Sequence, residues 1–256
     1  MLYRFCLLAV CSLGLISISK AEEASLDSLK PIMVQPGSVV IQSDFSKAGV
    51  ANKADWAPRQ GTRWAIEDGV LRGRPSSAEY QAKKADHKGY EPRMSVPKTP
   101  AEFMAKFSIR FTDGSTTAIV PFIEFGHHVA RVRFTAQGTQ LLADHEIMLV
   151  AEAKDFEYEP GRWYHALAEM KGDEFVIQFA DGPTLYAKHP LFAEAATSGA
   201  SGFGTAGPKG GLVEIDNMAI YEVKPSVQKT WSQSRLKFPK FTPVQVKEPK
   251  VKKAKK

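Results

Sequence analysis

The sequence predicts an all-β chain folded as a two-sheet antiparallel β-sandwich, and three observations carry that reading. Apolar and polar residues alternate with period two through a series of short segments. Turn dipeptides and Gly/Pro clusters separate these segments at intervals of roughly eight to twelve residues, the spacing of a sandwich. No amphipathic helix of useful length interrupts them.

Taken in order, Val39–Phe45 has the β-branched content of a first strand. Trp56 and Trp64 flank a Pro/Gly turn, and Gly61–Gly73 reads as two strands joined by the Asp68-Gly69 turn. Phe107, Ile109 and Phe111 alternate with Lys106, Ser108 and Arg110, and the turn Thr112–Thr116 follows. Phe122–Gly126 and Ala130–Phe134 form a hairpin around His127-His128, with Arg131 and Arg133 facing away from Val132 and Phe134. Ile147–Val150, Trp163–Met170 and Glu174–Phe179 continue the pattern between turns at Pro160-Gly161, Lys171–Asp173 and Asp181–Pro183. In Val213–Val223 the apolar parity switches between Ile215 and Met218, which calls for a bulge near Asp216-Asn217. Helical turns are expected only at Pro190–Ala196 and Thr230–Leu236. The expected inter-sheet core is Phe107, Ile109, Phe111, Leu167, Phe175, Ile177, Phe179, Ile215 and Ile220. Trp64 and Trp163 are expected to be core residues too.

Residues 1–21 read as a signal peptide: Arg4, an apolar run from Phe5 to Ile18, and small residues Ser19 and Ala21 around Lys20. The chain is therefore expected to be exported, to the periplasm or outside the cell. The run is short for a bilayer, and no later stretch approaches the roughly 18 apolar residues of a transmembrane helix. Cys6 and Cys11 both lie in this segment. The mature chain then has no thiol, which excludes disulfides, a cysteine nucleophile and thiolate metal sites; Val10 before Cys11 argues against lipidation.

The expected organisation is a signal peptide at 1–21, a linker at 22–38, one domain at 39–223 and a basic, mostly disordered tail at 224–256. From Lys224 to Lys256 there are 11 Lys/Arg against the single acid Glu248, whereas 22–223 carries 21 Lys/Arg against 27 Asp/Glu. The domain is acidic and the tail basic. An exported Lys/Pro tail lacking groove-reading residues does not point to nucleic acid, and the contact expected of it is a weak one with anionic surfaces.

Trp64-x-x-x-Asp68-Gly69-x-Leu71-x-Gly73, Asp44-Phe45 before it, and Val213–Val223 with its Asp216-Asn217-x-x-Ile220-Tyr221 ending resemble the concanavalin A-like jelly-roll domains grouped with the 3-keto-disaccharide hydrolase-like family. The same motifs occur in laminin G-like and glucanase-like sandwiches. The resemblance spans about 40 to 223 and implies a jelly roll with a carbohydrate partner. It leaves two activities open: an enzyme acting on 3-keto-glycosides, or a non-catalytic carbohydrate-binding or envelope-associated module.

Candidate chemistry gathers at the hairpin. Glu124, His127, His128 and Arg131 are the catalytic candidates, because imidazole and carboxylate can move a proton near neutral pH and a guanidinium can steady an enolate oxygen. Arg133, Asp144, His145, Glu214, Asp216 and Tyr221 are the candidates for substrate binding, with Tyr80, Tyr90, Trp163 and Tyr186 as further aromatic platforms. Glu214-x-Asp216 matches the start of the glucanase E-x-D-x-x-E pattern, but Met218 and Ala219 stand where a third carboxylate would be sought. Gly202–Gly207 spells G-x-G-x-x-G without a following helix, so it reads as a glycine-rich turn. No G-x-S-x-G is present. No cofactor is expected; calcium stays open, with Asp113, Asp144 or Asp216 as donors.

Overall fold

The computed structural model describes residues 25–116, 120–198 and 202–246; the segment predicted to be a signal peptide and the last ten residues lie outside the described residues. The strands, in chain order, are β1 (Val34–Ser43), β2 (Gly49–Val50), β3 (Ala57–Pro58), β4 (Arg63–Glu67), β5 (Val70–Arg74), β6 (Arg93–Val96), β7 (Phe103–Thr112), β8 (Phe122–Phe125), β9 (Ala130–Thr135), β10 (Gly138–Ala143), β11 (Met148–Ala153), β12 (Trp163–Lys171), β13 (Glu174–Phe179), β14 (Thr184–Lys188), β15 (Phe203–Ala206), β16 (Leu212–Val227) and β17 (Val244–Gln245). Short helices α1 (Ala78–Lys83), α2 (Pro190–Ser198) and α3 (Trp231–Ser234) connect or cap them. None of the described helices is long and apolar enough to cross a membrane.

Two antiparallel sheets result, as expected of a jelly roll. The first runs β14-β13-β12-β7-β16-β5-β4-β2, with β1 also on β16. The second runs β17-β11-β10-β9-β8-β15-β6-β3. Their inner faces meet over a core that includes Phe107, Ile109, Phe111, Phe125, Val132, Phe134, Ile177, Phe203, Ile215 and Ile220. Asp68 and Gly69 both take positive φ, as a two-residue β4–β5 hairpin requires. Gly73 is needed for another reason: a Cβ there would sit 2.5 Å from the Trp64 ring. The bulge expected at Asp216-Asn217 is present, with Asn217 at φ 50° and the β16–β7 register shifting after Asp216.

Several expectations change. The first strand begins at Val34 rather than Val39, and the segment assigned to a linker is packed: Leu29, Met33 and Val34 are buried. Leu167 is buried, but not between the sheets. It lies with Met104, Val176 and Trp231 in a second apolar cluster on the outer face of the first sheet. Trp163 is not core; it is partly exposed on that same outer face, with the Arg110 guanidinium 4.6 Å from its ring centre. The tail expected to be mostly disordered is folded through Val246: β16 continues to Val227, Trp231 is 1% exposed, and β17 pairs with β11.

The segments around Met33 and Trp231 therefore cover part of the first sheet's outer face. Glu169, fully buried, accepts the N–H groups of Ile32, Met33 and Val34 at 3.0, 2.8 and 2.7 Å. Burial raises its pKa, and these backbone bonds only partly oppose the rise. Glu174 holds the other end, accepting from Trp231 Nε1 at 3.0 Å, Arg235 Nη1 at 3.2 Å and Tyr186 Oη at 2.6 Å.

Candidate functional site

On the second sheet neither of these segments covers the hairpin region, and β17 lies at the sheet's far edge. Ile123 and Phe125 of β8 and Ala130, Val132 and Phe134 of β9 point into the core, so Phe122, Glu124, Arg131 and Arg133 point outward. Glu124 stands directly opposite Arg131 in the ladder. The connecting turn closes through the Val129 N–H donating to the Gly126 carbonyl at 3.0 Å and puts His128 at φ 59°.

The Glu124 carboxylate organises this tip. Its Oε1 accepts the His128 N–H at 2.6 Å, lies 3.7 Å from His127 Nδ1 and faces Arg131 Nη2 at 3.5 Å. Asp144, in the turn after β10, is nearly buried and holds Arg131 Nη2 and His128 Nδ1, each at 2.8 Å. Arg131 in turn lies 4.1 Å over the Phe122 ring, which also carries Arg93 at 5.6 Å. Arg93 comes from β6, and Gly204 of β15 sits between Ser95 and Glu124 in the ladder. With no side chain at Gly204, the floor between β6 and β8 stays low.

The walls come from elsewhere in the chain. Arg59, Gln60, His87 and Tyr80 complete a groove of about 560 Å³ that includes Arg93, Phe122, Glu124, His127 and His128. Gln60 Nε2 and His87 Nδ1 are 3.0 Å apart, at φ 55° and 47°. Gly61 follows at φ 71° and lets the Tyr80 ring approach within 2.5 Å of where a Cβ would be. Gln60, His87 and His128 thus stand at the groove with positive φ.

Partial burial lowers the pKa of His127; His128, Arg59 and Arg131 add to the effect and Glu124 opposes it. The imidazole is accordingly neutral near neutral pH and can accept a proton or a hydrogen bond. Among the described residues, Glu124, His127 and His128 form the one group of three or more whose ligand atoms all lie within 4.8 Å of one another. A cation there would compete with Arg131 for Glu124. Asp113, Asp144 and Asp216, the calcium candidates, do not join such a group.

The remaining substrate-binding candidates separate. Arg133 faces outward and donates to Gln140 Oε1 at 3.0 Å, beyond the residues lining the groove. His145 is exposed in its turn and does not line it. Glu214, Asp216 and Tyr221 are on the opposite face of the sandwich. Glu214 is 3% exposed and held between Arg72 at 2.8 Å and Arg110 at 2.5 Å. Asp216 and Tyr221 line a second groove, of about 690 Å³, with Asp44, Trp163 and His165. There the Ser108 hydroxyl and His165 Nδ1 are 2.8 Å apart. Burial raises the Asp216 pKa and nearby Asp44 adds to it.

The sequence reading found the hairpin tip and Asp144 but missed Arg59, Gln60, His87 and Arg93. Alternation in Arg93-Met94-Ser95-Val96 marks Arg93 as outward-facing; that β6 lies one strand away from β8 is a matter of strand order alone.

No family model matches the chain, and no curated protein matches it. Solved structures do. A protein of unknown function with a galectin-like fold from Bacillus subtilis superposes with a TM-score of 0.53 at 9% identity, over 75% of this chain and 99% of the other. A glycosyl hydrolase family 16 protein from Mycobacterium smegmatis superposes with a TM-score of 0.51 at 11% identity, over 72% and 100%. At such identity the likeness is one of fold: the chain is a concanavalin A-like jelly roll.

Proposed function

We propose that this protein is an exported carbohydrate-binding protein that takes its ligand in the groove over β6, β15, β8 and β9. The observation that carries this reading is the convergence of His127, His128, Arg93, Gln60 and Glu124 on one groove beside the Tyr80 ring. Donors and acceptors in fixed positions next to an aromatic face are what a pyranose ring and its hydroxyls require. Asp144 and Arg131 act underneath, as positioning residues that fix His128 and Glu124. The galectin-like and glycosyl hydrolase folds of the neighbours support the same reading by analogy.

Cleavage of 3-keto-glycosides is the second reading. It rests on the resemblance of Trp64–Gly73 and Val213–Val223 to that hydrolase-like family and on a neutral His127 beside Glu124. In that case His127 would take the proton from the carbon between the keto group and the glycosidic carbon, and a guanidinium would hold the enolate oxygen. The enolate would collapse to expel the glycosidic oxygen, which takes up a proton; water adding to the resulting double bond completes the hydrolysis.

Incubation with 3-keto-trehalose and 3-keto-lactose, alongside a glycan array, separates the two. Array binding that is lost in His127→Ala, without sugar release, supports the binding protein. Sugar release abolished by the same substitution supports the enzyme. Neither signal from the intact protein overturns both.

A further inference from the structure

We propose that the saccharide taken by this groove is acidic, bearing a carboxylate or a sulfate ester that pairs with Arg93 and Arg59. The inference rests on the carbohydrate-binding reading above and adds the charge class of the ligand.

Its basis is an imbalance of charge in this groove. Two guanidiniums, those of Arg59 and Arg93, line it against the single carboxylate of Glu124. That carboxylate is already engaged by the His128 N–H and faces Arg131. Arg93 is the telling residue. Its side chain is largely buried, its Nε has no hydrogen-bond partner, and its guanidinium makes no ion pair with any described residue, resting instead over Phe122. Other partly buried arginines have ion pairs: Arg72 and Arg110 with Glu214, Arg74 with Glu67, Arg131 with Asp144, Arg162 with Asp181.

An arginine keeps its charge at any ordinary pH, and burying that charge without a counter-ion is costly. The domain that carries it has more acidic than basic residues, so carboxylates are not scarce. Glu91 and Glu124 attract Arg93 from a distance, but no carboxylate of the described residues forms an ion pair with it. Arg59, exposed at the rim of the same groove, likewise makes no ion pair among the described residues. A planar guanidinium offers paired donors that match a carboxylate or sulfate oxygen pair, and Tyr80 and Gln60 remain for the sugar ring. A neutral sugar would leave the guanidinium with hydroxyls alone.

The test is calorimetric titration of the protein with an oligogalacturonate, its methyl ester, a sulfated galactan oligosaccharide and a neutral β-1,3-glucan oligosaccharide of equal length. At least one acidic ligand is expected to bind about ten- to a hundredfold more tightly than the neutral ones, with the preference shrinking as salt is raised. Oligogalacturonate preferred over its ester names the carboxylate; preference for the galactan alone names the sulfate. Arg93→Gln should erase the preference, and Arg59→Gln, at an exposed position that cannot unfold the protein, should reduce it. Equal binding of acidic and neutral ligands would overturn the inference and leave the carbohydrate reading standing. Binding of none of them by the intact protein would overturn both.

Discussion

The two outer faces of this sandwich are built from the same alternating strands, yet one is partly closed by the chain's own segments, beside the groove at Trp163 and Asp216, and the other is open. On the first sheet, the segments around Met33 and Trp231 bury Met104, Leu167 and Val176, and much of the remaining polar surface is a network of Arg72, Arg74 and Arg110 with Glu67 and Glu214. On the second, Glu124, Arg131 and Asp144 satisfy one another, while Arg93, Arg59 and His127 look into a groove. The difference teaches that polar residues on a strand's outer parity do not mark a site by themselves. What matters is whether the rest of the chain supplies their partners.

Breaking the closed face should cost stability and leave ligand binding alone. Trp231→Ala empties a fully buried indole position and removes the bond to Glu174, and should cost about 3–5 kcal/mol. Denaturant midpoints measure it, and an unchanged midpoint would mean that the tail does not pack. Next comes Glu169→Ala, which orphans the N–H groups of Ile32, Met33 and Val34, at about 1–3 kcal/mol for each group left buried without an acceptor. Water entering beside Leu29 and Met33 would relieve part of that cost, so the protection of these amides against hydrogen exchange is the sharper readout.

The strands were readable in the sequence because period-two alternation survives wherever one face is wet. It fails in β12, where both faces are buried: Ala166, Ala168 and Met170 face the main core and Leu167 the other cluster, so the larger residue drew the wrong assignment. The start of β1 was hidden by Pro36-Gly37-Ser38, whose turn-like letters sit in a strand with repeated register shifts. In the tail, Lys and Pro outweighed a single Trp. The candidate site was legible where it lies on one continuous hairpin, and illegible where separate loops and β6 complete it.

A smaller effect separates the faces by pH. Burial pushes Glu174 upward, but the hydrogen bonds from Tyr186, Trp231 and Arg235 outweigh it and hold its pKa below the usual 4.5. A depressed folded-state value means stabilisation that is present above the unfolded pKa and lost as pH falls through the folded one. Tail docking should therefore loosen in acid below about pH 4.5, seen as a shift in Trp231 fluorescence, and Glu174→Gln should flatten that response.

The smallest change in stability is expected on the open face. His127→Ala, at a side chain 63% exposed, should move the denaturation midpoint by less than about 0.5 kcal/mol while weakening ligand binding at least tenfold. His145→Ala, outside the groove, should change neither.

The proposed function puts a saccharide on the second sheet, and backbone amide shifts on titration with an oligosaccharide read that placement directly. Perturbations are expected at Arg93–Ser95, Phe122–Arg131 and Gly204, with the amides of Ser108, Trp163, His165 and Asp216–Tyr221 unmoved. Shifts gathered around Trp163, His165 and Asp216 instead, with the hairpin silent, would contradict the account and move the site to the first sheet.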